Sequence, residues 1–124
     1  MIDSLYGKVF MDKKIETITN LFKDNEIRSV WDSEKEDYYF SVVDVIRVFT
    51  SSDDPSHYWR TLKLRMIKEG NETVTKCDSF KMKAKDGKMR STDFLDTEGI
   101  FRLIESVPSS NAEPFKVWLA KLGR

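Results

Sequence analysis

The sequence predicts an α+β domain: small antiparallel hairpins packed with about four helices around one core. Three observations carry that expectation. Short runs rich in β-branched and aromatic residues alternate with turn residues early in the chain. Two segments carry apolar residues at i, i+3, i+4 and i+7 late in it. Between them, an alternating apolar–basic stretch is interrupted by Asp86-Gly87, a strong short hairpin signal.

The elements follow in order. Residues 1–14 show no sustained period and are assigned as a variable N-terminal arm, leaving 15–124 as one domain. Thr17–Phe22 reads as a strand, Lys23-Asp24-Asn25 as a turn and Glu26–Asp32 as the returning strand. A helix over Ile15–Phe22 is the alternative, because Ile15, Ile18 and Phe22 also suit a helical stripe. Ser33–Asp37 is an acidic loop and Tyr38-Tyr39-Phe40 a short aromatic strand. Ser41 with Asp44 three residues on forms a capping box that opens a buried helix, Val42–Phe49. Asp54 as N-cap and Pro55 at the first helical position open a second helix to about Glu69, with Trp59, Leu62 and Met66 facing inward. Phe80–Lys85 and Lys88–Thr92 then form a hairpin. Asp96 or Thr97 caps a helix carrying Ile100, Leu103, Ile104 and Val107. Ser110 or Asn111 caps the last one, with Phe115, Trp118, Leu119 and Leu122 inward.

Composition bounds the function. The chain has 124 residues, 40% of them apolar and 34% charged, which suits one folded domain rather than two cores or a disordered tail. No segment approaches the roughly 18 apolar residues of a membrane span, and the first residues lack a secretory pattern, so the expected location is cytoplasmic, on the nucleoid. One cysteine and one histidine fall short of a zinc ligand set, and five glycines form no phosphate loop; no metal or cofactor is expected.

The formal net charge is zero, but its distribution is uneven. Residues 57–90 hold 10 lysines and arginines against 4 acids, while 1–56 hold 7 against 12 and 91–124 hold 4 against 5. A two-residue Asp86-Gly87 loop would place Lys85 opposite Lys88, Lys83 opposite Arg90, and Lys81 opposite Thr92. Met82, Ala84, Met89 and Ser91 would then turn to the core. Like charges directly opposite one another cost up to about 1 kcal/mol per pair. A polyanion laid on that face relieves the repulsion, since alternate strand residues and successive backbone phosphates are both spaced by about 7 Å. The bland reading is that lysines guard an exposed strand edge against pairing. Guarding needs only one or two, and here both strands are loaded. The expected phosphate contacts are therefore Lys81, Lys83, Lys85, Lys88 and Arg90, extended along the second helix by Arg60, Lys63 and Lys68.

Enzyme readings fare worse. His57 opens a helix with no nucleophile placed beside it. Cys77 follows Lys76, which would lower its pKa, yet it carries no nucleophile signature and reads as a bystander. Asp86-Gly87-Lys88 has the acid-x-Lys spacing of one magnesium-dependent nuclease class, with Asp78, Asp93 and Asp96 as available partners. A hairpin turn explains the same residues fully.

Several ordered blocks resemble a known family. They are Ile27–Asp32, Tyr39–Val45, Tyr58-Trp59-Arg60-x-Leu62-Lys63, Lys81-Met82, Asp86–Arg90 with Thr92-Asp93, Asp96–Gly99, Arg102–Ile104, Pro108-Ser109, and Ala112–Lys116 with Trp118–Ala120. Together, over about residues 17–123, they resemble the BRO family N-terminal domain of phage and prophage antirepressor-like proteins, nearest to the bacterial DNA-damage-inducible D-type branch. The resemblance implies a non-enzymatic DNA-binding module of a transcription regulator or antirepressor, followed in most members by a variable C-terminal region. Its expected partner is DNA, double-stranded by preference. The rival expectation is a protein-interaction module, in which acidic Glu34, Glu36, Asp37, Asp53 and Asp54 meet a repressor; a homodimer is also open.

Overall fold

A computed structural model of the chain describes residues 15–72, 77–84 and 86–122, with the side chains of Ile15 and Glu16 excepted. The expected arm over 1–14 and the expected contact Lys85 lie outside the described residues. Nine elements follow in the order β1 (Ile15–Phe22), β2 (Asn25–Asp32), β3 (Asp37–Ser41), α1 (Val42–Thr50), α2 (Pro55–Lys68), β4 (Asp78–Lys83), β5 (Met89–Asp96), α3 (Thr97–Glu105) and α4 (Ala112–Leu122). The α+β class holds, and the helical alternative over Ile15–Phe22 gives way to a strand.

The hairpins join into one five-stranded antiparallel sheet in the order β1-β2-β3-β5-β4. The join is the aromatic strand β3, which pairs with β2 on one side and with β5 on the other, Phe40 facing Leu95. Alternation sends Ile27, Phe40 and Leu95 to one face, where all four helices pack on them. The opposite face gathers Val30, Tyr39, Met82 and Phe94, with Phe80 against them. The expectation of one core is thus corrected to a main core and a small satellite. The chain has no spare helix to put on the second face among the described residues.

Local chemistry sets the helix starts as expected. The Ser41 hydroxyl accepts from the Asp44 amide, and the Asp54 carboxylate accepts from the His57 amide. Asp96, rather than Thr97, caps α3 by accepting from the Gly99 amide. A Cβ at Gly99 would lie 3.0 Å from the Leu95 side chain, so its absence lets α3 sit close on β5. Before α4, Asn111 spends its side chain elsewhere, donating to the Val48 carbonyl, while the Ser109 hydroxyl donates to the Phe49 carbonyl. The Pro108–Asn111 turn therefore pins the C-terminal end of α1.

Candidate nucleic-acid interface

The β4–β5 hairpin decides where the expected contacts lie, and its register differs from the expected one. Lys83 pairs with Met89, Met82 with Arg90, Lys81 with Ser91 and Phe80 with Thr92, one residue out from the alignment a two-residue loop gives. Of the two turn residues, only Gly87 has a positive φ, +83°, whereas a type I′ turn needs two. The Gly87 amide donates to the Ala84 carbonyl, and the Ala84 amide to the Lys88 carbonyl, closing a three-residue loop. Burial favours this alignment. It puts Phe80 and Met82 on the face of Phe94, with the Phe80 and Phe94 rings 5.1 Å apart, whereas a slip would separate them.

The correction redistributes the charge. Lys81 and Lys83 share a face with Met89 and Ser91, on the helical side of the sheet; Arg90 lies on the other face with Met82 and Thr92. The expected opposed pair Lys83–Arg90 does not form, and Lys88 stands opposite Ala84. Met82 turns inward as expected, but Met89 stands out, 62% exposed.

Two of the expected contacts are neutralised within the chain. Arg90 pairs with Asp86 across the turn. That bond, with the Lys88 amide, holds the Asp86 carboxyl below its usual pKa. Lys63 pairs with Asp93 at 2.9 Å, and the Trp59 indole N–H donates to the same oxygen at 2.8 Å. Burial alone would raise the Asp93 pKa, but these two donors outweigh it and lower it. The other five described contacts, Lys81, Lys83, Lys88, Arg60 and Lys68, are exposed and have no ion-pair partner among the described residues.

Arg28 is a residue that sequence reading missed. It belongs to β2, far from the basic third, and its amide and Nε donate to the buried Asp44 at 2.8 and 2.9 Å. Its remaining nitrogens reach the Ser41 hydroxyl and the Lys83 carbonyl, both at 3.4 Å. Arg47 also binds Asp44, at 3.3 Å. Arg28 thereby lines a cleft of about 280 Å³ between α2 and the hairpin, together with Arg60 and Arg90. The alternation of buried Ile27, Ser29 and Val30 around it marks a strand, and says nothing about where a long cationic side chain from that strand will reach.

The residues weighed for catalysis have structural duties. Asp86 accepts from the Lys88 amide, Asp93 is held by Lys63 and Trp59, and Asp96 caps α3. Among the described residues no group of three histidines, cysteines or carboxylates is arranged to hold a metal ion. His57 is exposed in the first turn of α2. The Cys77 thiol is pushed up to about 12 by burial and by the Asp93 charge, opposite to the lowering its neighbour Lys76 suggested. In the acidic segment, Asp37 accepts from Thr97 and Asp54 caps α2, so that surface is less free than its composition implies. No described helix is long and apolar enough to cross a membrane.

Comparison with curated proteins and with solved structures finds no match. The BRO family, N-terminal domain (Bro-N), matches residues 26–121, from the start of β2 nearly to the end of α4, and the chain belongs to that family.

Proposed function

We propose that this domain binds double-stranded DNA through phosphate contacts from the β4–β5 hairpin and α2, as the DNA-binding part of a phage-type transcription regulator or antirepressor. Membership of Bro-N is consistent with such a domain and does not point to an enzyme. The observation that carries the reading is the contrast in pairing: Asp44, Asp86 and Asp93 each hold a cation, yet Lys81, Lys83, Lys88, Arg60 and Lys68 are exposed and have no ion-pair partner among the described residues. Leaving cations unscreened on a neutral chain favours an anionic partner. Phosphate contacts set affinity and position without reading bases, so the contact set assigns no recognised sequence.

Five neutralised phosphates give a slope of about −4.5 in log affinity against log salt. Lys81→Gln with Lys83→Gln removes two and is expected to flatten the slope to about −2.7. It should weaken duplex binding about tenfold or more at low salt, leaving the fold intact because both side chains are exposed. Fluorescence anisotropy on a labelled duplex, titrated with salt, measures both; an unchanged slope overturns the assignment.

The rival is docking onto a repressor or a second copy of the chain. On its side, Leu64 and Ile67 stand 62% and 52% exposed, one turn apart on α2. A domain that leaves duplex unshifted at low salt, but loses self-association or repressor binding on Leu64→Ser, would favour that reading.

A further inference from the structure

We infer that the cleft between α2 and the hairpin is a seat for a single phosphate group, occupied by one backbone phosphate when the domain is on DNA. The inference deepens the DNA-binding reading and rests on it. Three arginines from three separate elements, Arg28 of β2, Arg60 of α2 and Arg90 of β5, line one recess together with Ser56, Ser91 and Thr92. Guanidinium groups present forked donors that match phosphate oxygens.

The charges around the cleft leave room for an anion. Asp44 answers Arg28 and Arg47 together, Asp93 answers Lys63, Asp86 answers Arg90, and Arg60 has no partner among the described residues. Five cations thus face three carboxylates, an excess of two positive charges. Arg28 is held in place by its bonds to Asp44, so presenting it to a ligand costs little additional ordering.

Backbone donors contribute as well. β3 pairs with β5 only from Phe94 to Asp96, so the side of β5 next to the cleft carries no neighbouring strand. The ladder bonds β4 to β5 through residues 84 and 88, and alternation turns the Ser91 and Asp93 amides away from β4, towards the cleft side. The volume, about 280 Å³, falls just under the usual range for whole small-molecule ligands, about 300–1,000 Å³. It suits a phosphate and the atoms beside it rather than a complete cofactor. The same chemistry accepts a free phosphate, so the test must separate the two sources.

Amide and arginine side-chain NMR spectra of the intact chain would be followed during titration with inorganic phosphate, with chloride matched for ionic strength, and separately with a short duplex. The expected result is saturable shifts of the Arg28, Arg60 and Arg90 Nε–H and the Ser91 and Asp93 amides with both probes. Arg60→Gln, whose native side chain is exposed and has no ion-pair partner among the described residues, should weaken the phosphate response at least fivefold while the remaining spectrum stays folded. Duplex that shifts Lys81 and Lys83 but not the cleft signals overturns the seat and leaves the DNA-binding reading standing. A cleft silent to both probes also overturns it. Phosphate shifting the cleft while duplex shifts nothing overturns the DNA assignment, leaving a free-phosphate site.

Discussion

Two of the three hairpins of this sheet solve the same problem with opposite turn chemistry. β1–β2 turns through Lys23 and Asp24, both at positive φ (49° and 66°), with Phe22 facing Asn25 across a two-residue loop. No glycine is present there, although left-handed backbone costs an L-residue about 1–2 kcal/mol. β4–β5 has the Asp-Gly pair favoured for a two-residue turn, yet sets Ala84 opposite Lys88, with Gly87 left-handed and Asp86 not. Turn residues propose a register; the burial of the strands disposes of it. Phe22 lies against the Phe115 and Trp118 rings at 5.0 and 5.7 Å, which fixes β1 whatever its turn costs. Phe80 and Met82 pick the register that brings them to Phe94.

That difference is sharpest in core truncations. Phe22→Ala removes a ring buried to 3% in the main core and is expected to cost about 3–5 kcal/mol. Met82→Ala empties part of a satellite of four buried residues and is expected near the low end for its type, about 2 kcal/mol. Urea unfolding of both variants measures the gap. Equal losses would mean that the hairpin carrying the expected DNA contacts is as deeply anchored as the other.

A smaller and more specific contrast lies in the turns themselves. Lys23→Asn with Asp24→Gly supplies the residues a type I′ turn favours and is expected to stabilise by about 0.5–1 kcal/mol. Gly87→Ala is expected to destabilise by about 1–2 kcal/mol. A Cβ at Gly87 meets nothing within 4 Å, so that cost is conformational alone. Opposite signs in thermal unfolding support turns chosen by their strands; like signs would mean that turn chemistry sets the register after all.

What the sequence made legible was local. The Ser41 and Asp54 caps, Pro55 in the first turn of α2, and the spacing of Phe115, Trp118, Leu119 and Leu122 all concern residues within two turns of one another. Register was lost because it depends on Phe94, more than ten residues beyond Phe80 and Met82. Pairing was lost because Lys63 finds Asp93 thirty positions away. The cleft was lost for the same reason, since Arg28, Arg60 and Arg90 converge only once β2, α2 and β5 are in place. The basic third was visible as composition, whereas which of its cations remain unpaired depends on carboxylates placed by the fold.

Asp93 offers the finest test, because it joins the hairpin to α2 and withholds one cation from any ligand. Its folded pKa is lowered, despite the burial that would raise it, by bonds from Lys63 and Trp59. The sign follows from that direction. The bonds contribute stability fully above the unfolded carboxylate value, about 3.9, and the contribution fades as pH falls through the lower folded value. Asp93→Asn is therefore expected to be less stable than the parent at pH 7, by an amount that shrinks below about pH 4. Part of the carboxylate meets solvent, so the effect is small. DNA binding should move the opposite way. Freed from Asp93, Lys63 gains reach to a phosphate, and the salt slope should steepen by about 0.9 while stability declines. A variant weakened in both would mean that Asp93 positions the interface, and that Lys63 serves the fold alone.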